Sequence, residues 1–385
     1  MNIDFWLLLK TVDMILFIVV AMTVVYVVFF SLTSMFSRDH DVPKAKQQKR
    51  FIIIIPAYKA DKTVINTVKS ILSQTYPQRL FDVTVVSDHQ NEMTNMRLAQ
   101  YTVTLLTPDF EKSSKVKSLQ YAILNLPAFK IYDIVVVLDA DDLVEPEFLE
   151  QLNDAYETAG TKAIVTHQLP QNRDTSSARL STVFEEINNS IFRRGHITVG
   201  LSSALMASGV AFEFDWFKKN IMKIRGIAED KELEAMLIRQ GIYIDYFDHI
   251  HIYSEKKREV SDFNRQRRHW IIDQVISGTK NIRYLPAAIF NRQYDWMDKI
   301  IQWLLLPRSI LFAVVFVMSI IMPFVYLSLA IKWWIITVIW GFSLALATPN
   351  ELVDKNWDRD FIVLPITTVA NITRRIRSKL KKPAK

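Results

Sequence analysis

The chain has 385 residues, is 50% hydrophobic, carries a formal net charge of +7 and contains no cysteine. This length suffices for a soluble domain and a membrane portion, and the apolar content indicates that part of the chain lies in lipid. The lack of cysteine excludes disulfide frameworks and thiolate chemistry. The positive charge does not indicate nucleic-acid binding, because basic residues cluster beside apolar segments at 44–50 and 374–385, as membrane flanks do.

The first apolar segment, residues 14–37, contains no charged residue. Because a helix needs about 20 apolar residues to cross the hydrocarbon core, the segment predicts a transmembrane anchor within residues 1–37. The segment lacks a strong basic leader and a small-x-small cleavage site, which argues against a cleaved signal peptide. A basic juxtamembrane linker is expected over residues 38–50.

Residues 51–280 are predicted to form a cytosolic α/β domain, because short β-rich runs alternate with stretches of helical spacing. The runs are FIIII (51–55), DVTVV (82–86), YTVTLL (101–106) and DIVVVL (133–138), with helical spacing at 64–72 and 116–124. This alternation predicts a doubly wound, mostly parallel sheet that is covered on both faces. Ligands bind such sheets outside the carboxyl ends of the strands, so polar residues at those ends are candidates for a site.

The DAD stretch, residues 139–141, directly follows one of these buried runs. Two carboxylates two residues apart can bind a hard divalent cation, Mg²⁺ or Mn²⁺, together with substrate phosphates. The pattern is short, and acidic residues can instead begin a helix. We assign that structural role to Asp142 or its neighbours, because the acidic, proline-containing residues 145–147 resemble a first helical turn.

The stretch GIAEDKELEAMLIRQG, residues 226–241, predicts an amphipathic helix closed by Gly241. Glu229 and Asp230 lie in its first turn. Taken alone, the pair is explained most simply by its favourable interaction with the helix dipole. The alternative is a general base positioned to accept a proton.

The stretch NRQRRHW, residues 264–270, places three arginines beside Trp270. Arginine forks suit diphosphate oxygens, and tryptophan offers a flat face to a sugar ring. The alternative is a basic and aromatic belt at a membrane interface. Residues 281–307 follow, and they contain an amphipathic pattern that predicts an interfacial helix.

Two further apolar segments, residues 309–331 and 333–350, are separated only by Lys332 and predict a transmembrane hairpin over 308–350. Pro323 predicts a kink in its first arm. Residues 351–385 form a basic tail. Because basic flanks face the cytosol, we expect an integral protein of the cell or inner membrane, with the N-terminus and the turn at 331–333 outside and the catalytic part and tail inside.

In their order along the chain these motifs resemble glycosyltransferase family 2, in particular its membrane-embedded branch with the D, D-x-D, E-D and Q-x-x-R-W signature. Cellulose, chitin, hyaluronan and poly-N-acetylglucosamine synthases and ceramide glucosyltransferases belong to this branch. The resemblance covers about residues 50–330. It implies a GT-A type α/β fold with flanking transmembrane and interfacial helices. It also implies an inverting, Mg²⁺- or Mn²⁺-dependent transfer from a UDP-sugar, with UDP-GlcNAc or UDP-glucose favoured.

The resemblance assigns donor-side roles to matching positions. The nucleotide-pocket positions are Pro56, Ala57, Tyr58 and Asp88, and Asp88 would face the uracil. Lys115 would lie near the base and the diphosphate. The resemblance implies that Asp139 and Asp141 bind the metal, with Asp141 as the direct ligand.

Other matching positions would serve the acceptor and the transfer step. Asp230 would be the catalytic base and Glu229 its neighbour. The positions near the acceptor and diphosphate are Gln266, Arg267, Arg268 and Trp270, and those that shape the acceptor and donor-sugar pocket are Ser208 and Gly209. The sequence departs from the pattern where His269, rather than arginine, precedes the tryptophan.

The acceptor implied by the resemblance is a growing polysaccharide or a lipid. Three predicted spans would make a narrow channel, which favours a short product, a lipid acceptor or a partner subunit for export. The expected partners are the donor, the acceptor and membrane lipids. No nucleic-acid partner is expected, because acids, not a basic stripe, occupy the strand ends where ligands bind. An inactive membrane-anchored scaffold is the remaining alternative, and the retained set of acids argues against it.

Overall fold

The computed structural model of the protein describes residues 5–37, 42–226 and 228–349. The strands are β1 (Phe51–Tyr58), β2 (Phe81–Asp88), β3 (Thr104–Leu106), β4 (Ile134–Val137), β5 (Asp142–Val144), β6 (Ala163–Pro170), β7 (Val210–Glu213) and β8 (Ile244–Ser254). The α-helices are α1 (Phe5–Ser34), α2 (Val64–Leu72), α3 (Glu92–Leu98), α4 (Lys115–Leu124), α5 (Phe148–Ala159), α6 (Ser176–Asn188), α7 (Gly195–Thr198), α8 (Phe214–Ile221), α9 (Glu229–Arg239), α10 (Val260–Asn281), α11 (Leu285–Phe290), α12 (Tyr294–Leu304), α13 (Arg308–Val325) and α14 (Leu327–Leu346). Short 3-10 turns occupy Gln78–Leu80 and Ile282–Tyr284, and a π-helix occupies Asn189–Arg194. The predicted basic tail at 351–385 and the start of the basic linker lie outside the described residues.

One sheet contains all these strands, in the order β3-β2-β1-β4-β7-β6-β8-β5. The neighbours β3, β2, β1 and β4 run parallel, which confirms the parallel arrangement predicted from the four apolar runs. Beyond β4 the sheet is mixed, because β7 pairs antiparallel with both β4 and β6, and β5 pairs antiparallel with β8. The third predicted strand is shorter than expected, since only its last residues pair with β2.

Helices cover both faces of this sheet, as the unbroken apolar runs predicted. Alternate residues of β1 and β4, such as Ile52 and Val135, face a core formed with α4, α8, α9 and α12. Their neighbours, such as Ile53 and Val136, face a second core formed with α2, α3 and α5. Burial on both faces explains why these strands carry no polar residue before their carboxyl ends.

The helix start predicted at Asp142 or its neighbours lies at the neighbours, after Glu147, and not at Asp142. Residues 142–144 form β5, which pairs with β8, and the helix begins only at Phe148. The Asp142 side chain is fully buried and accepts hydrogen bonds from the backbone N–H of Asp139, at 3.0 Å, and from the Ser208 hydroxyl. Pairing with β8 therefore holds these residues extended, and Asp142 closes the turn after β4 rather than capping a helix.

Three of the described helices, α1, α13 and α14, are long and apolar enough to cross a membrane. Their boundaries correct the sequence prediction, because the hairpin turns at Tyr326 and Lys332 lies inside α14. The first helix also begins earlier than expected and includes Asp13, which forms an ion pair with Lys332 and accepts a 2.8 Å hydrogen bond from the Trp333 indole. The prediction ended the apolar segments at Asp13 and Lys332. In the structure these two charges lie within helices and neutralise each other across the helix pair.

The amphipathic pattern predicted in residues 281–307 forms helix α12. Its apolar residues Trp296, Ile300 and Trp303 are buried against the core of the α/β domain. The adjoining Asp298 accepts a 2.8 Å hydrogen bond from the Tyr26 hydroxyl of α1, and the same hydroxyl lies 2.8 Å from His196. The helix thus links the α/β domain to the first apolar helix, and protein covers its apolar side.

Candidate active site at the carboxyl ends of the central strands

The ends of β1 and β2 form the first part of the candidate site. Pro56, Ala57 and Tyr58 belong to β1 and pair with the last residues of β2, so that Tyr58 lies opposite Asp88. Ala57 is buried, whereas the Tyr58 ring is 54% exposed at the edge. The Asp88 carboxylate is almost fully buried, and one of its oxygens, Oδ2, has no hydrogen-bond partner. Because an unsatisfied buried oxygen is costly, an N–H group of a ligand is a suitable partner for it.

The second part is the tight turn after β4 that carries Asp139 and Asp141. Ser208 holds this turn, since its hydroxyl accepts a 2.8 Å hydrogen bond from the Asp139 backbone N–H. Gly209 follows in a left-handed conformation, and a Cβ at this position would collide with neighbouring side chains. Ser208 and Gly209 therefore contribute to the shape of the acid-bearing turn, and their expected contact with acceptor or donor sugar stays a prediction.

Lys115, the first residue of α4, joins this turn to helix α9. Its ammonium group forms an ion pair with Asp139 and donates a 2.7 Å hydrogen bond to the carbonyl oxygen of Ala207. Burial by itself would lower the pKa of Lys115, but the charges of Asp139, Glu229 and other acids outweigh it and raise the pKa. The lysine is therefore a fixed cation between the two groups of acids.

Glu229 and Asp230 begin α9 and line one small cleft together with Lys115, Met206 and Ala207. Burial raises the pKa of Glu229 to about 7, and the nearby Lys115 opposes this effect. The predicted helix is confirmed, and its first turn faces a cleft rather than open solvent. The dipole interpretation of this pair is compatible with a chemical role, because the same turn provides both.

Three charged residues stand behind Asp230, two of them fully buried, and sequence reasoning missed them. The ammonium of Lys231 lies 3.7 Å from Asp230 and 3.3 Å from Glu234, and Glu234 lies 3.3 Å from the ammonium of Lys299 on α12. Glu234 also accepts hydrogen bonds from the Leu205 backbone N–H, at 2.9 Å, and from the Trp303 indole, at 3.3 Å. The sequence did contain a signal for this cluster: Glu234 on α9 and Lys299 on α12 each lie on the otherwise apolar face of their helix.

Helix α10 carries the arginine- and tryptophan-containing motif beside α9. Gln266, Trp270 and Asp273 share one helical face by their spacing. Burial raises the pKa of Asp273, and the charge of nearby Asp230 raises it further. Arg267 lies on a different face, with its guanidinium 4.2 Å from the centre of the Phe184 ring. Arg268 is exposed, and Trp270 is 47% exposed. The residues of the motif therefore lie on different sides of α10, and Arg267 is not near the acids of the cleft.

The acid-bearing turn fits a divalent cation that shares its coordination with a ligand. In residues 5–37, 42–226 and 228–349, no group of three or more acidic or histidine side chains forms a complete cation site. However, burial and the charge of Asp139 raise the pKa of Asp141, so the two carboxylates repel each other and a cation would relieve the repulsion. Both side chains are partly exposed, and each is paired with a lysine, Asp139 with Lys115 and Asp141 with Lys257. Their oxygens can therefore be released to a metal.

Comparisons with known proteins concern the fold and the family of the chain. No curated protein matches the chain in sequence. Among solved structures, the fold is similar to that of the mannosyltransferase PcManGT from Pyrobaculum calidifontis in complex with GDP-Man and Mn²⁺, with a TM-score of 0.54 and 14% identity over 87% of this chain and 97% of that chain. S. aureus TarS 1–349 in complex with UDP-GlcNAc is more distant, with a TM-score of 0.39 and 15% identity over 59% of this chain and 66% of that chain.

The fold is thus of the GT-A type, as the resemblance implied, and the sheet edge with the paired aspartates is its candidate site. The family model described as glycosyltransferase like family 2 matches residues 48–272, which contain the acids of this site, Lys115 and Trp270. The chain therefore belongs to glycosyltransferase-like family 2.

Proposed function

We propose that the protein transfers a sugar from a nucleoside diphosphate sugar, with a UDP-sugar as the first candidate, to a hydroxyl of a membrane-associated acceptor. The observation that supports this most is the cleft in which Lys115, Glu229 and Asp230 meet, with Asp139 paired to the same lysine. One cation and carboxylates on both sides suit a reaction that moves a proton from an acceptor and leaves charge on a diphosphate.

On the donor side, the unpaired buried oxygen of Asp88 suits an N–H group of the nucleobase, and the exposed Tyr58 ring suits its face. Asp139 and Asp141 would hold Mg²⁺ or Mn²⁺ together with the donor phosphates. When bound, the cation supplies positive charge that stabilises the leaving diphosphate. Lys115 adds a second positive charge close to the same turn.

In the transfer step, Asp230 accepts the proton of the acceptor hydroxyl. The oxygen then attacks the anomeric carbon from the face opposite the diphosphate. A new carbon–oxygen bond forms while the old one breaks, and its electron pair leaves with the nucleoside diphosphate. Configuration at the sugar inverts, and no covalent sugar–enzyme intermediate is required. Lys231 keeps a positive charge 3.7 Å from Asp230.

The acceptor is proposed to be a growing polysaccharide or a lipid. The three described helices that are able to cross a membrane are few for a wide channel, which favours a short product, a lipid acceptor or a partner subunit. By the positive-inside argument, the site would face the cytosol. Product length after incubation with a labelled donor separates polymer from glycolipid.

The test is a panel of UDP-GlcNAc, UDP-glucose and GDP-mannose, incubated with the purified protein in detergent. We expect nucleoside diphosphate to be released from at least one donor in the presence of Mg²⁺ or Mn²⁺, and EDTA to stop the release. Asp230→Asn protein serves as the control for contaminating hydrolases. Absence of release and of donor binding with every sugar would favour the inactive scaffold, and turnover that persists in EDTA would contradict the metal role of Asp139 and Asp141.

A further inference from the structure

Two arginines, Arg267 on α10 and Arg308 at the start of α13, contact the same phenylalanine. The guanidinium of Arg267 lies 4.2 Å from the centre of the Phe184 ring and 5.3 Å from that of Phe263. Arg308 donates a hydrogen bond to the Phe184 carbonyl oxygen, at 3.5 Å, and another to the Asn188 side-chain oxygen, at 2.7 Å. Both guanidinium groups therefore gather around one turn of α6, next to the first residue of a membrane-type helix.

Neither arginine has a carboxylate within 4.0 Å among the residues that the structure describes, and Arg267 makes no hydrogen bond there. Burial lowers the pKa of Arg267 only to about 10, so it stays cationic at neutral pH. The nearest acid of α6, Glu185, is held by Arg193 at 3.1 Å. The two partly buried arginines repel each other, and the one acid whose charge acts on Arg308, Glu185, is already shared with Arg193.

Other arginines in this part of the molecule are compensated. Arg193 pairs with Glu185, Arg194 pairs with Asp248 at 3.1 Å, and Arg258 pairs with Asp174 at 2.9 Å. Because partly buried charges are costly without a partner, the contrast points to an anion that is bound between Arg267 and Arg308 in the working protein.

The surroundings of the two arginines are apolar. Phe184 and Phe263 flank Arg267, and the Phe192 ring lies 5.5 Å from the Arg308 guanidinium. Helix α13 leaves this point as 18 mostly apolar residues that are able to span a membrane. A ligand that fits here has a compact anionic group next to a long apolar part.

We propose that Arg267 and Arg308 bind the phosphate group of a membrane lipid, whose apolar chain runs beside α13. Guanidinium forks match phosphate oxygens in geometry, and they are less strongly hydrated than an ammonium, so they suit a partly buried phosphate. The start of a membrane helix is the depth at which lipid phosphates lie. This site is separate from the acid cluster, because Arg267 and the face that carries Asp273 point to different sides of α10.

The inference goes beyond the proposed transfer reaction and is tested without any sugar donor. Purified protein in a neutral detergent is titrated with lysophosphatidic acid, and thermal unfolding reports binding. Lysophosphatidylcholine and inorganic phosphate are the matched probes for the tail alone and for the anion alone. We expect lysophosphatidic acid to raise the unfolding midpoint at lower concentration than either probe.

The decisive variants are Arg267→Gln and Arg308→Gln, with Arg265→Gln as the control on the same helix, where Arg265 is exposed and paired with Asp262. Loss of a charged hydrogen bond should weaken lysophosphatidic acid binding about tenfold in each decisive variant and leave the control unchanged. If Arg308→Gln does not fold, Arg267→Gln and Arg308→Lys decide the question. Equal affinity in Arg267→Gln and the unaltered protein, or equal binding of inorganic phosphate, would overturn the proposal.

A competition experiment then identifies the source of the lipid phosphate. Displacement of lysophosphatidic acid by phosphatidylglycerol indicates a bilayer phospholipid. Selective displacement by a polyisoprenyl phosphate indicates a lipid-linked substrate. Failure of the transfer test would leave this result intact, because binding is measured without donor, metal or turnover.

Discussion

The acids at the sheet edge and Glu234 on α9 are both held by lysines, but solvent reaches only the acids at the sheet edge. The side chains of Asp139 and Asp141 are 38% and 27% exposed, and their lysine partners are 19% and 46% exposed. Glu234 and Lys299, in contrast, are both 0% exposed. The same pairing of charges therefore produces contacts that a ligand can replace at the sheet edge and a fixed scaffold behind α9.

This difference suggests how the two regions divide their tasks. Partly exposed pairs are worth little in stability, so exchanging a lysine for a cation or a diphosphate costs little. Buried pairs are costly to break, and the contacts of Glu234 with α12 hold the first turn of α9 in place. Asp230 lies at the boundary, since it belongs to the cleft but touches the scaffold through Lys231.

The strongest test of this boundary is Asp230→Asn. The amide keeps the shape of the side chain but cannot take a proton, so we expect the rate of transfer to fall about 100- to 10,000-fold. Nucleotide affinity should change by less than about twofold, because no donor contact is assigned to this residue. Turnover and the dissociation constant of the nucleoside diphosphate are the measurements.

Glu232→Gln is the matched control for that variant, because Glu232 lies on the same helix, is partly exposed, and has a 3.7 Å ion pair with Lys280 and a 3.4 Å hydrogen bond from the Gly226 backbone N–H. It should leave both values unchanged. A large loss of nucleotide binding in Asp230→Asn would contradict a role as base and would indicate that Asp230 contacts the donor, like the acids at the sheet edge.

Glu234→Gln should give the largest loss of stability. The substitution leaves Lys231 and Lys299 without their shared counter-charge, and breaking a buried pair on one side costs about 3–5 kcal/mol. Thermal unfolding in detergent measures this loss, and Glu232→Gln again serves as the control. An unfolding midpoint equal to that of the unaltered protein would show that the buried charges are not a scaffold.

The pH dependence of stability tests the cleft itself. Glu229 has a pKa of about 7 instead of its ordinary 4.5, so the folded protein holds a proton there that the unfolded chain releases. Stability should therefore fall as the pH rises from 4.5 to 7. After allowance for partial exposure, Glu229→Gln should remove about 1–2 kcal/mol of this fall. Unfolding midpoints of both proteins at pH 5 and pH 8 measure it, and parallel changes in the two would refute the burial of Glu229.

The smallest effect is expected for Lys257→Gln. The ammonium of Lys257 lies 3.8 Å from Asp141 and is well exposed, so the loss of stability should stay below about 0.5 kcal/mol.

Lys115→Met should weaken donor binding clearly, measured beside Lys257→Gln, because Lys115 contacts both the turn and the cleft. Equal effects of the two substitutions on donor binding would remove the distinction between a replaceable and a central lysine.

Much of this site could be predicted from the order of motifs along the chain. Asp88 ends β2, and Asp139 and Asp141 follow β4, so they do lie at the carboxyl ends of the two parallel strands on either side of β1, as the rule for such sheets requires. Asp142 has a structural place, as expected, but pairing with β8 makes it part of a strand, and the helix starts at its neighbours. The resemblance placed Arg267 near the diphosphate, whereas in the structure its guanidinium packs on Phe184.

The fold class and the three membrane-type helices could be predicted from periodicity and apolar length, and the family from the order of the motifs. Which charges neutralise each other became apparent only when the chain was folded. Asp13 with Lys332, and Glu234 with Lys231 and Lys299, come from segments that are distant or unremarkable in the sequence. Packing brings these charged partners together. Pairs that packing buries stabilise the fold, whereas pairs left partly exposed can exchange a partner for a ligand.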